Sequence, residues 1–508
     1  MKLYKYALIG VMASGAALSG CSLDYVPEDQ YSDVTIPPSK DEDEEQARFE
    51  TATDVENYMN AINNKYRNQQ EHWYLDQLLI ADSHSDNAYA GTTGAEVVPY
   101  EDNSIEGSNS VLKRDWDRYL GDVAYVNVLI NEVDKVKDNS LSASEITSYQ
   151  AQGRLFRAMI WFDMVRLWGD IPVIKATAKD ITADNIDESY EAYFPEQSTE
   201  LEAYEAIVED LEFALVNCPA NNGDKSKLTQ EVAMAMLAKV YAEKPVRDYS
   251  KVIQYADQLA SRGYGLVDDF SDLWALNEDK SDARVRNTKE AIYEAHFAPG
   301  AGSWVTWMFG RDEMDWNSSY TWAKWITPSR DLINEFTAEG DNVRYPQSVV
   351  WRDCTWSNYY PADNYAFMYK CRANAVSIIK MRYADILLLK AEAKIVGENT
   401  RDLAGAADII DQVRERAGLG KLSNTVRSSQ EALLEAYLKE RRLELCFEGQ
   451  RWFDLVRLNM VEKVMNAVYA KDSGRHAQRN IFNENSYRLA IPQGAIDQND
   501  NLVQNPGY

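Results

Sequence analysis

Two stretches of this chain repeat one design: an amphipathic run, a stop, and a second amphipathic run. In the first, apolar residues fall at Ala233, Met236, Leu237, Val240 and Tyr241, which puts them on one face of a helix. Pro245 ends the run, because proline brings no N–H to the helical ladder. The next run carries Tyr249, Val252, Ile253, Ala256, Leu259 and Ala260, and Gly263 and Gly265 close it. Later, residues 383–395 are almost wholly apolar and stop at Gly397; Leu403, Ala406, Ala407, Ile410, Val413 and Ala417 then form a second face that ends at Gly418 and Gly420. Two such helices joined by a short connector bury their apolar faces against each other, so each stretch predicts an antiparallel helical hairpin. Hairpins that leave a face uncovered are completed by stacked neighbours.

The second helices share a frame. Asp248 is followed nine residues on by Asp257-Gln258-Leu259, and Asp402 by Asp411-Gln412-Val413. An internal repeat of tetratricopeptide type, in which small Ala residues let helices approach closely, would produce this; so would two unrelated amphipathic helices. Two further pairs are predicted, one from Leu155, Met159, Phe162 and Arg166 with Tyr204, Ile207, Val208 and Leu211, the other from residues 433–445 with 452–464. The expected fold class is therefore all-α, or mostly α. Tetratricopeptide-like helix pairs near 150–216, 229–262, 382–417 and 430–467 pack against an irregular, loop-rich region.

That region is residues 297–371, where no amphipathic period persists. Seven of the 13 Trp lie there: Trp304, Trp307, Trp316, Trp322, Trp325, Trp351 and Trp356. The apolar face of a pyranose packs flat on an aromatic ring, while its hydroxyls need Asp, Asn, Arg or Glu nearby. Trp304, Trp307, Arg311, Trp316, Tyr320 and Trp322 supply both kinds of group and are candidate ligand residues. The competing reading is that such rings fill a core under long loops. A second candidate is the segment around His72-Trp73-Tyr74 and residues 82–89, read as a loop after the first helix, with Asp86, Asn87 and Tyr89 as hydroxyl-binding groups.

The amino terminus carries Lys2 and Lys5, an apolar run over residues 6–18, and then Leu18-Ser19-Gly20-Cys21. A basic start, an apolar core too short to span a bilayer and small residues before a cut describe a secretory signal over 1–20. A Cys directly after Leu-Ser-Gly is the lipobox pattern, so Cys21 is the expected lipidation site. Acyl chains there tether the body to a membrane surface. Residues 21–48 read as a tether, with Pro27, Pro37, Pro38 and the self-repelling run Asp41-Glu42-Asp43-Glu44-Glu45. The body is then 49–508.

With 81 acidic against 53 basic residues, the surface repels phosphate backbones and excludes nucleic acid as a partner. It also disfavours anionic glycans. Cys354 and Cys371 stand near enough in sequence to pair in one loop region, and Cys446 reads as a small buried apolar residue. The Cys and His spacing fits no zinc motif. Asp497-Gln498-Asn499-Asp500-Asn501 starts like a calcium loop but lacks its Gly and closing Glu. No phosphate loop, zinc-protease motif or nucleophile elbow is present, so neither cofactor, metal nor catalytic residue is expected.

Residues 440–458 read ERRLELCFEGQRWFDLVRL, in which Glu448, Arg451, Asp454 and Arg457 stand three apart. The spacing predicts a ladder of alternating charge on one helix face, with a scaffold rather than a ligand role. The word closely resembles the signature of the SusD/RagB family of surface nutrient-binding lipoproteins. The ending, from Ile491-Pro492 to Gln504-Asn505-Pro506-Gly507-Tyr508, and the head, Cys21-Ser22-Leu23-Asp24 with Pro27-Glu28-Asp29, resemble the same family. The resemblance implies four helix pairs and a binding protein rather than an enzyme. It further implies an oligosaccharide or polysaccharide ligand, a SusC-like TonB-dependent outer-membrane transporter as partner, and a lipid-anchored, surface-exposed place on the outer membrane. A peptide receptor of RagB type is the nearest alternative. A surface glycoside hydrolase, which needs two carboxylates flanking a cleft, and a helical scaffold that binds only protein are the others.

Overall fold

The computed structural model describes residues 47–91, 94–177, 190, 193–299, 302–314 and 324–508. The expected anchor at Cys21, its tether, and Trp316, Tyr320 and Trp322 lie outside these residues.

Helix starts are written in side chains that accept the first orphan N–H groups. Thr51 and Asp54 form a reciprocal capping box for α1 (Ala52–Asn68). After a short strand β1 (Ala88–Ala90), Asn109 caps α2 (Ser110–Glu132), and Ser142 with Glu145 boxes α3 (Ala143–Trp168). Thr199 with Glu202 does the same for α4 (Glu200–Asn217), which leads to α5 (Gln230–Val240) and α6 (Tyr249–Ser261). An insert follows, holding β2 (Ala291–Ala295), α7 (Trp304–Met308), β3 (Ile326–Pro328), α8 (Arg330–Glu339), β4 (Val349–Arg352), β5 (Tyr365–Met368) and β6 (Ile378–Arg382). The chain then closes with α9 (Tyr383–Val396), α10 (Leu403–Arg416), α11 (Gln430–Leu445), α12 (Arg451–Arg457) and α13 (Val461–Lys471).

Helices adjacent in sequence pack together along the run α2, α3, α4, α5, α6. The run continues across the insert, because α6 packs on α9, and α9 on α10 and α11. The fold is mostly α, as the periodicity implies. Buried charge ties the array together. Arg157 of α3 holds Asp210 of α4 through two hydrogen bonds of 2.8 and 3.0 Å and donates to Asn127 of α2 at 2.7 Å.

The shared aspartate frame has a local cause. Asp248 and Asp402 are the N-caps of α6 and α10, accepting from Ser250 and Lys251 N–H and from Gly405 N–H. Nine residues on the likeness stops: Asp257 takes Lys390 at the surface, whereas buried Asp411 holds Leu422 N–H at 2.8 Å. Asp402→Ala is expected to lower stability by about 1 kcal/mol, and Asp402→Asn, which keeps the cap, by almost nothing. Denaturant titration reads the difference.

Three expectations need correction. Residues 72–74 and 82–83, read within a loop, are helical, part of a stretch with wide π turns at Glu71–Leu75 and Leu79–Ser83 flanking Asp76–Leu78. Every side chain from His72 to Ser83 is buried, so no single-face period exists to announce a helix. Residues 297–371, read as irregular, hold α8, which starts at the Ser329 cap and stops at left-handed Gly340, the antiparallel ribbon β4–β5, and β3, which pairs antiparallel with β1; β2 and β6 pair on either side of them. The helix expected over 452–464 breaks where Asn459 turns left-handed (φ 56°), separating α12 from α13.

The charge ladder also resolves differently. Only Asp454 and Arg457 pair along the helix, at 2.8 Å. Glu448 sits in the turn between α11 and α12, where Phe447 and Gly449 both have positive φ, and it reaches Arg382 instead, at 2.6 Å. Arg382 also holds Glu290 at 2.6 Å and Glu444 at 2.5 Å, while Arg344 takes Asp341, Glu440 and Glu444 at 2.5, 2.6 and 3.2 Å. Arg441 bridges Asp385 and Asp454 at 2.8 and 2.7 Å. All but the partly exposed Glu448 are buried, so these charges persist only as a mutually paired network. Burial works against the charge on Glu444, but Arg416, Arg382 and Arg344 outweigh it and hold the carboxyl well below its usual range.

Among the described residues, Cys218, Cys354, Cys371 and Cys446 are free thiols. The loop pairing of Cys354 with Cys371 does not form: Cys354 Sγ donates to Trp356 O at 3.2 Å, and Cys371 packs beneath Gly310. Cys446 is buried, as its apolar surroundings imply.

Candidate functional site

The insert presents a ledge. Ser303 caps α7 by accepting Val305 N–H at 3.1 Å, and its own N–H reaches Asn374 O at 2.8 Å. Gly302 is required there, since a Cβ would lie 2.5 Å from Asn374 Cβ. One helical turn then separates the side chains. Val305, Thr306 and Met308 point inward and are buried. Trp304 and Trp307, three apart and hence on one face, are 47% and 43% exposed. They stand out because large rings are usually covered.

Both ends of the turn are held. Trp304 N–H donates to Gln70 Oε1 at 2.6 Å, and Lys324 Nζ donates to Trp307 O at 2.5 Å. Burial pushes the Lys324 ammonium down to about 8. Beyond the turn, Gly310 bridges to Met368 of β5 and lies where a Cβ would meet Cys371 Sγ at 2.5 Å. Arg311 is nine-tenths buried; it donates to Asp353 O at 2.5 Å, its guanidinium lies 5.9 Å from the Phe367 ring, and so it fixes the loop between β4 and β5 to the ledge. Gln70 and Lys324 were not anticipated, since a lone polar side chain in a polar stretch carries no sequence signal.

The other rings of the insert divide. Trp325, Trp351 and Trp356 are half-buried: Trp351 sits edge-on to Tyr360 at 5.0 Å, and Trp356 to Tyr365 at 5.8 Å. These fill the core beneath the insert.

The early segment reaches the ledge through backbone. β1 pairs antiparallel with β3, Gly91 N–H donates to Trp325 O at 2.9 Å, and Trp325 N–H donates to Met308 O at 3.0 Å. Its side chains, however, face inward. Asp86 receives Arg451 through two bonds of 2.8 Å and Arg442 at 3.2 Å. Asn87 donates to Asp82 at 2.9 Å and accepts from Arg442 at 3.0 Å. Tyr89 stacks on Tyr359 with centroids 4.6 Å apart, and its hydroxyl donates to Asp472 at 2.8 Å. All three are buried and committed within the protein. Asp86 and Asn87 are receptors for the long charged word rather than part of the exposed face, because Arg442 and Arg451 need polar partners in the core, and Tyr89 is tied to Tyr359 and Asp472.

Burial opposes the charge on Asp86, but Arg442 and Arg451 hold its carboxyl well below the usual range. An unfolded Asp titrates near 3.9. The stability Asp86 contributes is therefore complete above about pH 4 and lost as pH falls through the folded value. Arg451→Gln weakens that hold, so its acid-unfolding midpoint, read by Trp fluorescence, is expected at higher pH than the parent's.

Two family models match the chain, one described as the SusD family over residues 304–508, the other as "Starch-binding associating with outer membrane" over residues 35–242. The chain belongs to the SusD/RagB family. Among its relatives is SusD-like protein P2 of Formosa agariphila, 25% identical over 506 residues that take in 91% of this chain and 93% of the relative. Solved structures agree on the fold. Surface glycan-binding protein A from Bacteroides fluxus superposes with a TM-score of 0.70 at 21% identity, over 90% of this chain and 100% of that one. A laminarin-binding SusD-like protein gives 0.66 at 20% identity, over 91% and 100%. In this SusD/RagB member, then, the ledge of α7 is, among the described residues, an exposed aromatic feature of an insert carried on the helical array.

Proposed function

We propose that this protein is a glycan-binding lipoprotein of the outer-membrane surface, anchored through Cys21, which captures oligosaccharide and passes it to a SusC-like TonB-dependent transporter. The observation that carries the reading is the pair of exposed rings, Trp304 and Trp307, on one rigid helical turn. Such a face suits the C–H side of a pyranose. Rings held in place bind without first losing conformational freedom. Trp316, Tyr320 and Trp322 belong to the proposal as further rings, with Arg311 as the group that ties the loop between β4 and β5 to the ledge. Binding at Asp86, Asn87 or Tyr89 would require breaking buried pairs, so they take no direct part in it. The family description and the named ligands of the related proteins support a carbohydrate over other cargo.

The reading is one of capture without turnover. Burial raises the carboxyls of Asp82, to about 6, and of Glu101. Both are buried in the fold, with no exposure to a substrate. The test is a panel of neutral and anionic oligosaccharides, with peptides alongside, titrated against the lipid-free chain. Retention of a neutral glycan unchanged is expected. Cleavage products would establish the hydrolase, and retention of peptides alone the RagB-like receptor.

A further inference from the structure

Behind α7 lies a cavity of about 70 Å³, walled by α3, α5, β5, β6, the turn after α11 and the inner face of α7 itself. Four of its side chains end in buried hydroxyls with no hydrogen-bond partner in the protein: Tyr66, Tyr74, Thr306 and Ser377. Buried polar groups are nearly always satisfied, so four such hydroxyls in one lining leave hydrogen bonds for a polar guest to complete.

The wall is also cationic. Arg166, Lys239, Lys370 and Lys380 line it, against Asp163 and Glu448. Those two acids are already matched, Asp163 by Arg166 at 2.6 Å and Lys380 at 2.8 Å, Glu448 by Lys370 and by Arg382 at 2.6 Å. Lys239 donates to Asp385, behind the wall, and to Gln450 at 2.8 Å; Lys370 donates to Glu448 and to Glu444 O at 2.9 Å. An ammonium has three N–H groups, so each lysine keeps one beyond these bonds, and the Lys370 ammonium also lies 4.8 Å from the centre of the Trp274 ring. Burial pushes Lys380 down to about 8 despite Asp163, and Arg166 and Lys239 press it the same way. An anion would relieve that crowding. The lining is also apolar and soft in part, with Met159, Met236, Met368 and Met381 arriving from four different elements.

We propose that this cavity binds a small monocarboxylate of acetate-to-propionate size, its carboxylate toward Lys239, Lys370 and the hydroxyls, its alkyl end among the methionines. A sugar does not fit, since sites for larger ligands enclose about 300–1,000 Å³. The site is separate from the glycan reading and stands without it. Gln450 and Ile379, half-exposed, lie at its edge.

The experiment compares sodium propionate with sodium chloride at equal ionic strength on the folded parent chain. Propionate is expected to raise the unfolding temperature saturably above the chloride control, and saturation-transfer NMR to light up the propionate methyl. Thr306→Val and Ser377→Ala, which remove a hydroxyl at little change in volume, are each expected to weaken the effect several-fold; Lys370→Met, if folded by circular dichroism, to abolish it. Equal unfolding temperatures in the two salts, with no saturation transfer to the parent, would overturn the site. So would propionate binding that Thr306→Val and Ser377→Ala both leave intact.

Discussion

A chain with Trp304 and Trp307 both replaced by alanine is expected to lose at least about 100-fold in affinity for its best glycan. Two exposed rings on one turn act as a single anchor, and central aromatic anchors carry about 2 kcal/mol or more each when truncated. Even discounted for overlap, about 2.7 kcal/mol corresponds to 100-fold. The fold should not suffer, because both rings lie on the outer face while Val305, Thr306 and Met308 make the contacts inward. The single variants should each lose part of the effect, and Trp304→Phe less than Trp304→Ala. Calorimetric titration with the glycan selected from the panel measures all of them. Affinity within about threefold of the parent for the double variant would place the binding face elsewhere.

Arg382→Ala is expected to cost about 3–5 kcal/mol of folding free energy, enough to leave much of the chain unfolded. Arg382 is buried and faces Glu290, Glu444 and Glu448 at once. Its removal leaves three carboxylates in the core with one fewer cation, and Lys370, Arg344 and Arg416 already serve them. Arg382→Lys should recover only part of the loss, since one ammonium cannot reproduce the forked contacts of a guanidinium. Denaturant titration of the purified variants tests this. An Arg382→Ala chain as stable as the parent would show that the network adds nothing net to folding.

These two results probe the features that sequence rendered unequally. The hairpin pairs were legible because one buried face and one solvated face impose a helical period, and because Pro245 and the stopping glycines mark their ends; that Asp248 and Asp402 cap the second helices was not. The π-turned segment from Glu71 was not, since burial on every side erases the period. The role of residues 440–458 as scaffold was legible, but not the partners: Arg451 meets Asp86 across 365 positions, a pairing that no local spacing encodes. Of the candidate ligand residues, Trp304 and Trp307 emerge exposed, whereas Asp86, Asn87 and Tyr89, polar and suited to hydroxyls, are drawn inside.

Local order in the chain by itself determined the helical class, the capped starts of its helices and the family to which it belongs, because each rests on patterns within some twenty consecutive residues. Which charges are buried against which, and that Trp304 and Trp307 stay in water while the other described tryptophans are buried or half-buried, only the tertiary structure decided. Burial is a property of what arrives from elsewhere in the chain, and a residue's own neighbours in sequence do not contain that information.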